Sequence, residues 1–133
     1  MNKKVLAFVC DGKNFLALRN NPKDPAHGGD FWFTVTGSLK KGETETQAVI
    51  REVKEETGMA AKSVNVICVL NCKDDNSHYV TIGLLCKDFE GDAKAIEEDV
   101  VEWKWVDPRK LPDMYFPSEN VIKNFLEGCF YKY

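Results

Sequence analysis

The sequence predicts a mixed α/β fold, and three observations lead to this prediction. Short runs rich in apolar, β-branched and aromatic residues recur along the chain and predict strands. Residues 45–57 carry apolar side chains at helical spacing, which predicts a helix between two groups of strands. A similar pattern at 118–127 predicts a second helix near the end of the sequence. We therefore expect helices packed against a mixed sheet.

The first two predicted strands are VLAFVC at 5–10 and FLALR at 15–19. The four residues between them begin with Asp11 and Gly12, a pair that is typical of the tight turn in a β-hairpin. We therefore expect these two strands to pair with each other. A turn-rich segment follows, and FWFTV at 31–35 is the third predicted strand.

Both ends of the first predicted helix are marked in the sequence. Thr44 followed by Gln47 matches the capping box, in which the two residues exchange hydrogen bonds with each other's backbone. Gly58 follows the last helical residue, where a left-handed conformation commonly ends a helix. An apolar stripe faces the expected core and consists of Ala48, Val49 and Val53.

The second half of the chain predicts three more strands and a helix. The runs at 63–72 and 78–87 are joined by DDNS and read as antiparallel neighbours. The run VVEWKWV at 100–106 is the last predicted strand. Ser118 is the predicted N-cap of the final helix, which reaches about Glu127.

Length and charge limit the functional classes. A chain of 133 residues fits one domain, spanning 1–133. Its net charge of −3 argues against broad binding to nucleic acid or to an anionic membrane. We expect neither partner, and the sequence leaves a homodimer open. Five cysteines, an odd number with no C-x-x-C pair, suit a reducing compartment and predict a cytoplasmic location.

Three carboxylates are close together on the predicted helix. Glu52, Glu55 and Glu56 are three and four residues apart, so their side chains project near one face. Their oxygens are hard ligands suited to Mg²⁺ or Mn²⁺, and a cation would relieve their mutual repulsion. Arg51 follows Glu43 by eight residues and is positioned to pair with it across the preceding loop. The alternative is an acidic, solvated helix face.

This spacing resembles the Nudix box, G-x5-E-x7-R-E-U-x-E-E-x-G-U, in which U is apolar. Every specified position is met, by Gly37, Glu43, Arg51, Glu52, Val53, Glu55, Glu56, Gly58 and Met59. The resemblance implies a Nudix-type α/β/α sandwich with a mixed β-sheet. It also implies a magnesium-dependent hydrolase that cleaves a diphosphate linked to another moiety. The complete motif favours this interpretation over a solvated acidic face.

The resemblance implies roles by position. Glu52 and Glu56 are expected to bind the metal directly, Glu55 directly or through water, and Gly37 through its carbonyl. Glu43 and Gly58 are expected to be structural. The general base stays open, because many members take it from outside the box.

A later acidic segment supplies further candidates. It resembles a loop from which several family members draw an extra metal ligand or base. The candidates are Glu97, Glu98 and Glu102, and we favour Glu98. The alternative is a solvated acidic turn. The predicted catalytic group is therefore Glu52, Glu55, Glu56, Arg51 and Glu98.

The substrate prediction depends on the segment FWFTVTGSLKKGE. It is similar to a stretch of bacterial dihydroneopterin triphosphate pyrophosphatases and related nucleoside triphosphate pyrophosphohydrolases. We therefore expect cleavage of a (deoxy)nucleoside or pteridine triphosphate to monophosphate and pyrophosphate. Lys40 would place positive charge near the phosphates, although a solvated loop lysine is the alternative. Tyr115 and Phe116 are predicted to stack on the substrate ring.

Two other functions stay open. The first is hydrolysis of a nucleoside diphosphate conjugate such as ADP-ribose. The second, of a different class, is a Nudix-fold module that binds a nucleotide without cleaving it. Inactive members of the family commonly lose box carboxylates, and this chain retains all of them. The sequence therefore favours an enzyme.

Overall fold

The computed structural model describes residues 2–20, 32–73, 78–94, 100–112, 114, 122–123, 126 and 131–132. In this part of the chain, four strands precede the one long helix in sequence and four strands follow it. The elements are β1 (Asn2–Val9), β2 (Phe15–Asn20), β3 (Trp32–Phe33), β4 (Val35–Ser38), α1 (Glu45–Thr57), β5 (Ala60–Lys73), β6 (His78–Glu90), β7 (Val100–Val106) and β8 (Tyr131–Lys132). No helix among these residues is long and apolar enough to cross a bilayer.

The strands form two sheets. The larger has the order β4-β1-β6-β5-β8, and it is mixed because β1 runs parallel to β6 and β5 runs parallel to β8. The smaller has the order β3-β2-β7 and is antiparallel. The predicted mixed α/β fold class is confirmed. The division into two sheets was not part of the prediction.

Strand β1 lies inside the larger sheet and is buried on both faces. Val5 and Ala7 pack with Val49 and Val53 of α1, whereas Leu6 faces the opposite side. The alternation follows from the two-residue period of a strand. Fully burying one such aliphatic side chain contributes about 1.5–3 kcal/mol, so this strand anchors both layers of the core.

The predicted hairpin between the first two strands is wrong beyond its turn. Asp11 N–H donates to Asn14 O at 3.0 Å, so the tight turn exists. The strands then separate into different sheets, and among the described residues one isolated bridge, Cys10 with Phe15, joins them. Both runs are apolar on both faces. Each therefore takes two other neighbours: β1 pairs with β4 and β6, and β2 pairs with β3 and β7.

The predicted single strand at 31–35 is two strands in two sheets. β3 pairs with β2 in the smaller sheet, and β4 pairs with β1 in the larger one. The chain crosses between the sheets at Thr34, which is fully buried. β3 and β4 are each the edge strand of their sheet, so this crossing connects two edges.

Helix α1 has the predicted bounds and caps. Gln47 N–H donates to Thr44 Oγ1 at 3.1 Å, and Thr44 N–H donates to Gln47 Oε1 at 2.9 Å. Gly58 is left-handed with φ of 79°, and its N–H donates to Lys54 O at 3.0 Å. The capping box and the glycine stop are therefore both confirmed.

The remaining predictions have mixed outcomes. β5 and β6 are antiparallel as expected, and both extend beyond the predicted bounds. Ile122, Lys123 and Leu126 are helical, and Ile122 is buried. The predicted start of that helix at Ser118 and its end at Glu127 lie outside the described residues.

Candidate active site

The site begins in the loop between β4 and α1. Glu43 N–H donates to Lys40 O at 3.0 Å, and Lys40 N–H donates to Glu43 Oε1 at 2.9 Å. Gly42 has a φ of 82°, a left-handed conformation that a glycine adopts at little steric cost. The Glu43 side chain therefore closes its own loop and holds it in one conformation.

Arg51 connects this loop to the helix. Its Nε donates to Glu43 Oε2 at 2.7 Å and its Nη2 to Glu43 Oε1 at 2.9 Å, a two-pronged contact of the strong, charge-assisted kind. Nη2 also donates to Ser38 O at 3.1 Å. The predicted contact between Glu43 and Arg51 is thus present. It ties the end of β4, the loop and α1 together.

The electrostatics of this pair give it a pH dependence. The guanidinium of Arg51, and then the backbone N–H of Lys40, lower the pKa of Glu43 from 4.5 to about 2. Glu43 in turn raises the pKa of Arg51. Because the folded pKa of Glu43 lies below its ordinary value, the pair stabilises the fold above about pH 4.5. That contribution is lost as the pH falls towards 2.

The same guanidinium contacts two of the helix carboxylates. Arg51 Nη1 donates to Glu52 Oε1 at 2.6 Å and to Glu55 Oε2 at 3.3 Å. The Glu52 side chain is 13% exposed, whereas that of Glu55 is 46% exposed. Water screens the second contact, so we expect it to contribute little stability. Arg51 therefore fixes the position of Glu52 and leaves Glu55 free to turn.

Glu52 lies directly against the backbone of Gly37. A Cβ atom at position 37 would come within 2.1 Å of Glu52 Cδ and Oε1. Gly37 pairs with Val5 in the sheet, on the face that α1 covers. The absence of a side chain at position 37 is what allows the carboxylate to reach the edge of β4.

Glu56 lies one helical turn after Glu52 and is 5% exposed. Its neighbours Val53 and Thr57 are fully buried, so this carboxylate lies at the boundary between the core and the acidic face. A carboxylate removed from water is costly unless it is compensated. A divalent cation bound next to it is one such compensation.

A divalent cation fits these residues in chemistry. The three carboxylates and the Gly37 carbonyl are hard oxygen donors, and the Glu52 carboxylate occupies the space beside Gly37 that a side chain there would fill. Among the described residues, no three His, Cys, Asp or Glu side chains converge closely enough to hold a metal ion. Glu52 and Glu55 instead share the Arg51 guanidinium as a common partner.

The end of α1 is held by a separate set of hydrogen bonds. Thr57 Oγ1 donates to Val53 O at 2.6 Å and accepts from Met59 N–H at 3.1 Å. Lys94 N–H donates to Thr57 O at 2.9 Å, which connects the helix end to the segment after β6. With the left-handed Gly58, these bonds hold the end of the helix in place.

Of the other predicted residues, the structure describes Lys40 and Glu102, and neither side chain contacts the three carboxylates of α1. Lys40 is exposed, and its backbone rather than its side chain contacts Glu43. Glu102 lies on β7 and forms an ion pair with Arg19 on β2. Glu97, Glu98, Tyr115 and Phe116 lie outside the described residues.

Two contacts were missed from the sequence. The Ser38 carbonyl that accepts from Arg51 leaves no signal in the residue type. Arg19 did leave one, because it is the single charged residue of the run FLALR. Its partner Glu102 is distant in sequence and becomes evident only from the register of β2 and β7.

The Glu43–Arg51 contact predicts a non-additive mutant cycle. Glu43→Gln and Arg51→Gln should each lower the thermal melting temperature, because each leaves the other side chain without its charge-assisted partner. The double variant should cost less than the sum of the two. The matched control is Lys62 and Glu90, an ion pair of 3.3 Å whose side chains are largely exposed, where near-additive effects are expected. Additive losses at Glu43 and Arg51 as well would contradict the coupling.

The chain is similar to known proteins over most of its length. A family model described as NUDIX domain matches residues 2–126. An ADP-ribose pyrophosphatase of Methanocaldococcus jannaschii is 33% identical over 92 residues, covering 68% of this chain and 54% of that protein. The chain thus spans about half the length of this relative. A dihydroneopterin triphosphate diphosphatase of Escherichia coli is 48% identical over 52 residues, covering 39% of this chain and 31% of that protein.

A solved structure shares the fold. A MutT NUDIX hydrolase from Burkholderia pseudomallei superimposes with a TM-score of 0.82 and 20% sequence identity, covering 92% of this chain and 95% of that one. At this identity the likeness concerns the fold alone. The family model covers nearly the whole sequence. The sequence motif is complete, and its residues Gly37 and Arg51 both contact other residues of the motif. This chain therefore belongs to the Nudix hydrolase family.

Proposed function

We propose that this chain is a divalent-metal-dependent pyrophosphohydrolase that cleaves a (deoxy)nucleoside or pteridine triphosphate to the monophosphate and pyrophosphate. One observation carries the proposal: Glu52 lies against Gly37 and is fixed there by Arg51, at the junction of an edge strand and a helix. We also propose that residues 1–133 form a single domain of the family, which the match over 2–126 supports.

The residues of the site would have two roles, metal binding and positioning. Glu52, Glu55 and Glu56, with the Gly37 carbonyl, would hold Mg²⁺ or Mn²⁺. When bound, such a cation neutralises phosphate charge and lowers the pKa of a coordinated water. Glu43 and Arg51 keep the loop and the helix in register, so that the carboxylates stay close to Gly37. In the reaction, water cleaves the P–O bond between the α and β phosphates, which releases the monophosphate, pyrophosphate and a proton.

The choice of a triphosphate has two supports. The relative with the highest identity of those described, 48% over 52 residues, is named a dihydroneopterin triphosphate diphosphatase. Lys40 is exposed on the loop that Glu43 closes, so its ammonium can approach a highly anionic substrate. Glu98, Tyr115 and Phe116 remain proposals, as a further carboxylate for the metal or the proton and as aromatic residues for the ring.

A second candidate is hydrolysis of ADP-ribose or a similar diphosphate conjugate. It is favoured by the longer match to the archaeal protein named ADP-ribose pyrophosphatase, 33% identical over 92 residues. The same carboxylate site serves both reactions, because both substrates contain a diphosphate bond. The two candidates therefore differ in what binds beside the diphosphate.

A substrate panel separates the two candidates. Release of phosphate and pyrophosphate would be measured from nucleoside triphosphates, dihydroneopterin triphosphate, ADP-ribose and diadenosine polyphosphates at equal concentration with Mg²⁺. We expect the highest kcat/KM for a purine or pteridine triphosphate. A preference of about tenfold (about 1.4 kcal/mol) for ADP-ribose would overturn the substrate proposal. Binding of nucleotides without turnover of any would instead indicate a non-catalytic module.

Metal removal tests the carboxylate site by itself. Protein treated with EDTA and then freed of it should be inactive, and adding Mg²⁺ or Mn²⁺ should restore turnover. The metal should also raise the melting temperature, since a ligand that binds only the folded state stabilises it. Full turnover by metal-free protein would contradict the assignment, whichever substrate is used.

A further inference from the structure

Four side chains meet across one end of the smaller sheet. The register places Arg19 of β2 opposite Trp32 of β3 and opposite Glu102 of β7. Arg19 Nη2 pairs with Glu102 Oε1, and Arg19 Cζ lies 5.8 Å from the centre of the Trp32 ring. Lys104 Nζ lies over the same ring at 4.0 Å. We call Arg19, Trp32, Glu102 and Lys104 the Trp32 cluster.

The Trp32 cluster lies on the face of the sheet that points away from α1. Leu18 and Phe33, the strand neighbours of Arg19 and Trp32, pack into the core beneath α1. Because side chains alternate along a strand, Arg19 and Trp32 point to the other face. There Trp32 packs partly against Phe15 and its neighbours. The side chains of Arg19 and Glu102 are 26% and 46% exposed, so a ligand can reach them.

The Trp32 cluster is close to the carboxylate site along the chain. Trp32 precedes Gly37 by five residues, over the consecutive edge strands β3 and β4. Five extended residues span at most roughly 18 Å, which is an upper bound on the distance between the two Cα atoms. The cluster lies on the sheet face away from α1, so a triphosphate that occupies both places must pass around the edge formed by β3 and β4.

We propose that the Trp32 cluster binds the heterocycle of the substrate and selects rings that present an amino group and a ring N–H beside a carbonyl, as guanine and pteridines do. The Glu102 carboxylate accepts from the two donors, and the Arg19 guanidinium donates to the carbonyl. The ring stacks on Trp32, a contact that any planar base can make. This inference deepens the proposed function and rests on it, because it narrows the proposed purine and pteridine substrates to guanine and to pteridines that carry the same amino, ring N–H and carbonyl groups.

Lys104 has a second role in this arrangement. Its ammonium covers the indole face that a ligand ring would occupy. An exposed cation–π contact is weak compared with stacking of a base on an aromatic side chain, so a ring can replace the ammonium. Lys104 thus covers the indole until a ligand binds and is then free to move into solvent.

Nucleoside monophosphates test the inference without catalysis. Binding of GMP, IMP and AMP to metal-free protein would be measured by calorimetry. IMP lacks only the amino group of GMP, and AMP has neither the carbonyl nor the ring N–H. We expect GMP to bind at least about tenfold more tightly than either, the discrimination typical of a good two-point contact to a base edge. Equal affinity for the three nucleotides would overturn the proposal.

Substitutions of Glu102 and Trp32 test which contact each side chain makes with the nucleotide ring. Glu102→Gln should reduce the preference for GMP over IMP to within about threefold, because the amide turns a donor towards the ring N–H. Glu90→Gln is the matched control, since Glu90 is an exposed carboxylate paired with Lys62 in the other sheet. Trp32→Leu should weaken the binding of all three nucleotides by the same factor, and Trp32→Phe should retain part of the affinity that Trp32→Leu loses. A preference for GMP that survives Glu102→Gln in folded protein would overturn the role of Glu102.

Failure of this inference can be told from failure of the proposed function. Tight, selective binding of GMP together with hydrolysis of ADP-ribose would leave the Trp32 cluster supported and the triphosphate proposal wrong. Hydrolysis of triphosphates without any difference in affinity among GMP, IMP and AMP would support the triphosphate proposal and overturn the role of the Trp32 cluster.

Discussion

Glu56→Gln is expected to lower kcat by about 10²-fold or more, equivalent to about 2.7 kcal/mol or above. Glutamine keeps the volume of the side chain and removes one charged donor from the proposed metal site. The residue is 5% exposed, so water cannot easily replace the lost oxygen on the core side. The fold should persist, and metal-free protein should melt at the same or a higher temperature, because one charge fewer is buried.

Two measurements test whether the loss of kcat in Glu56→Gln comes from the loss of a metal ligand. Mn²⁺ binding, followed by calorimetry, should weaken in Glu56→Gln together with kcat. Glu45→Gln is the control, because it also removes a carboxylate from α1 but lies in the first turn, outside the proposed site. Near-normal turnover in Glu56→Gln, or an equal loss in Glu45→Gln, would refute the assignment of Glu56 as a ligand.

Gly37→Ala is expected to lower kcat by about 10²-fold and to lower the melting temperature as well, because Glu52 is displaced from Arg51. The new methyl group would lie 2.1 Å from Glu52 Cδ and Oε1, so the carboxylate must leave its place. It would then lose its contact with Arg51 Nη1. Displacement of a catalytic group by about 1 Å is enough to cost this factor. The backbone at Gly37 does not have a positive φ, so alanine adds no strain there.

Gly42→Ala is the matched control on the same loop. A Cβ at position 42 meets nothing within 4 Å, but the residue has a φ of 82°. Alanine there costs about 1–2 kcal/mol of backbone strain and leaves Glu52 in place. We therefore expect a lower melting temperature and a nearly unchanged kcat, so that the two variants differ in kcat. Similar kinetic losses in both variants would show that the loop, rather than the Glu52 contact, limits the reaction.

The sequence by itself determined the local parts of the protein. The helix over Glu45–Thr57, its capping box and its glycine stop all follow from contacts three or four residues apart. The contact of Glu43 with Arg51 spans eight residues, and it too was predicted from the box. The contacts within the helix need no knowledge of the rest of the fold, since the helix period places the side chains. Glu43 precedes the N-cap, so its contact with Arg51 was predicted from the spacing of the box instead.

Tertiary structure alone decided how the strands were shared between two sheets. An apolar run buried on both faces does not specify its neighbours, so the Asp11-Gly12 turn led to the wrong pairing of β1 with β2. The same limit hid the crossing at Thr34, which separates Trp32 and Gly37 into two edge strands. Strand pairing also brought Arg19 to Glu102, and the packing of α1 against β4 brought Glu52 to Gly37. These contacts join distant positions whose proximity depends on which backbone edges remain open for pairing, and no local pattern of residues records that choice.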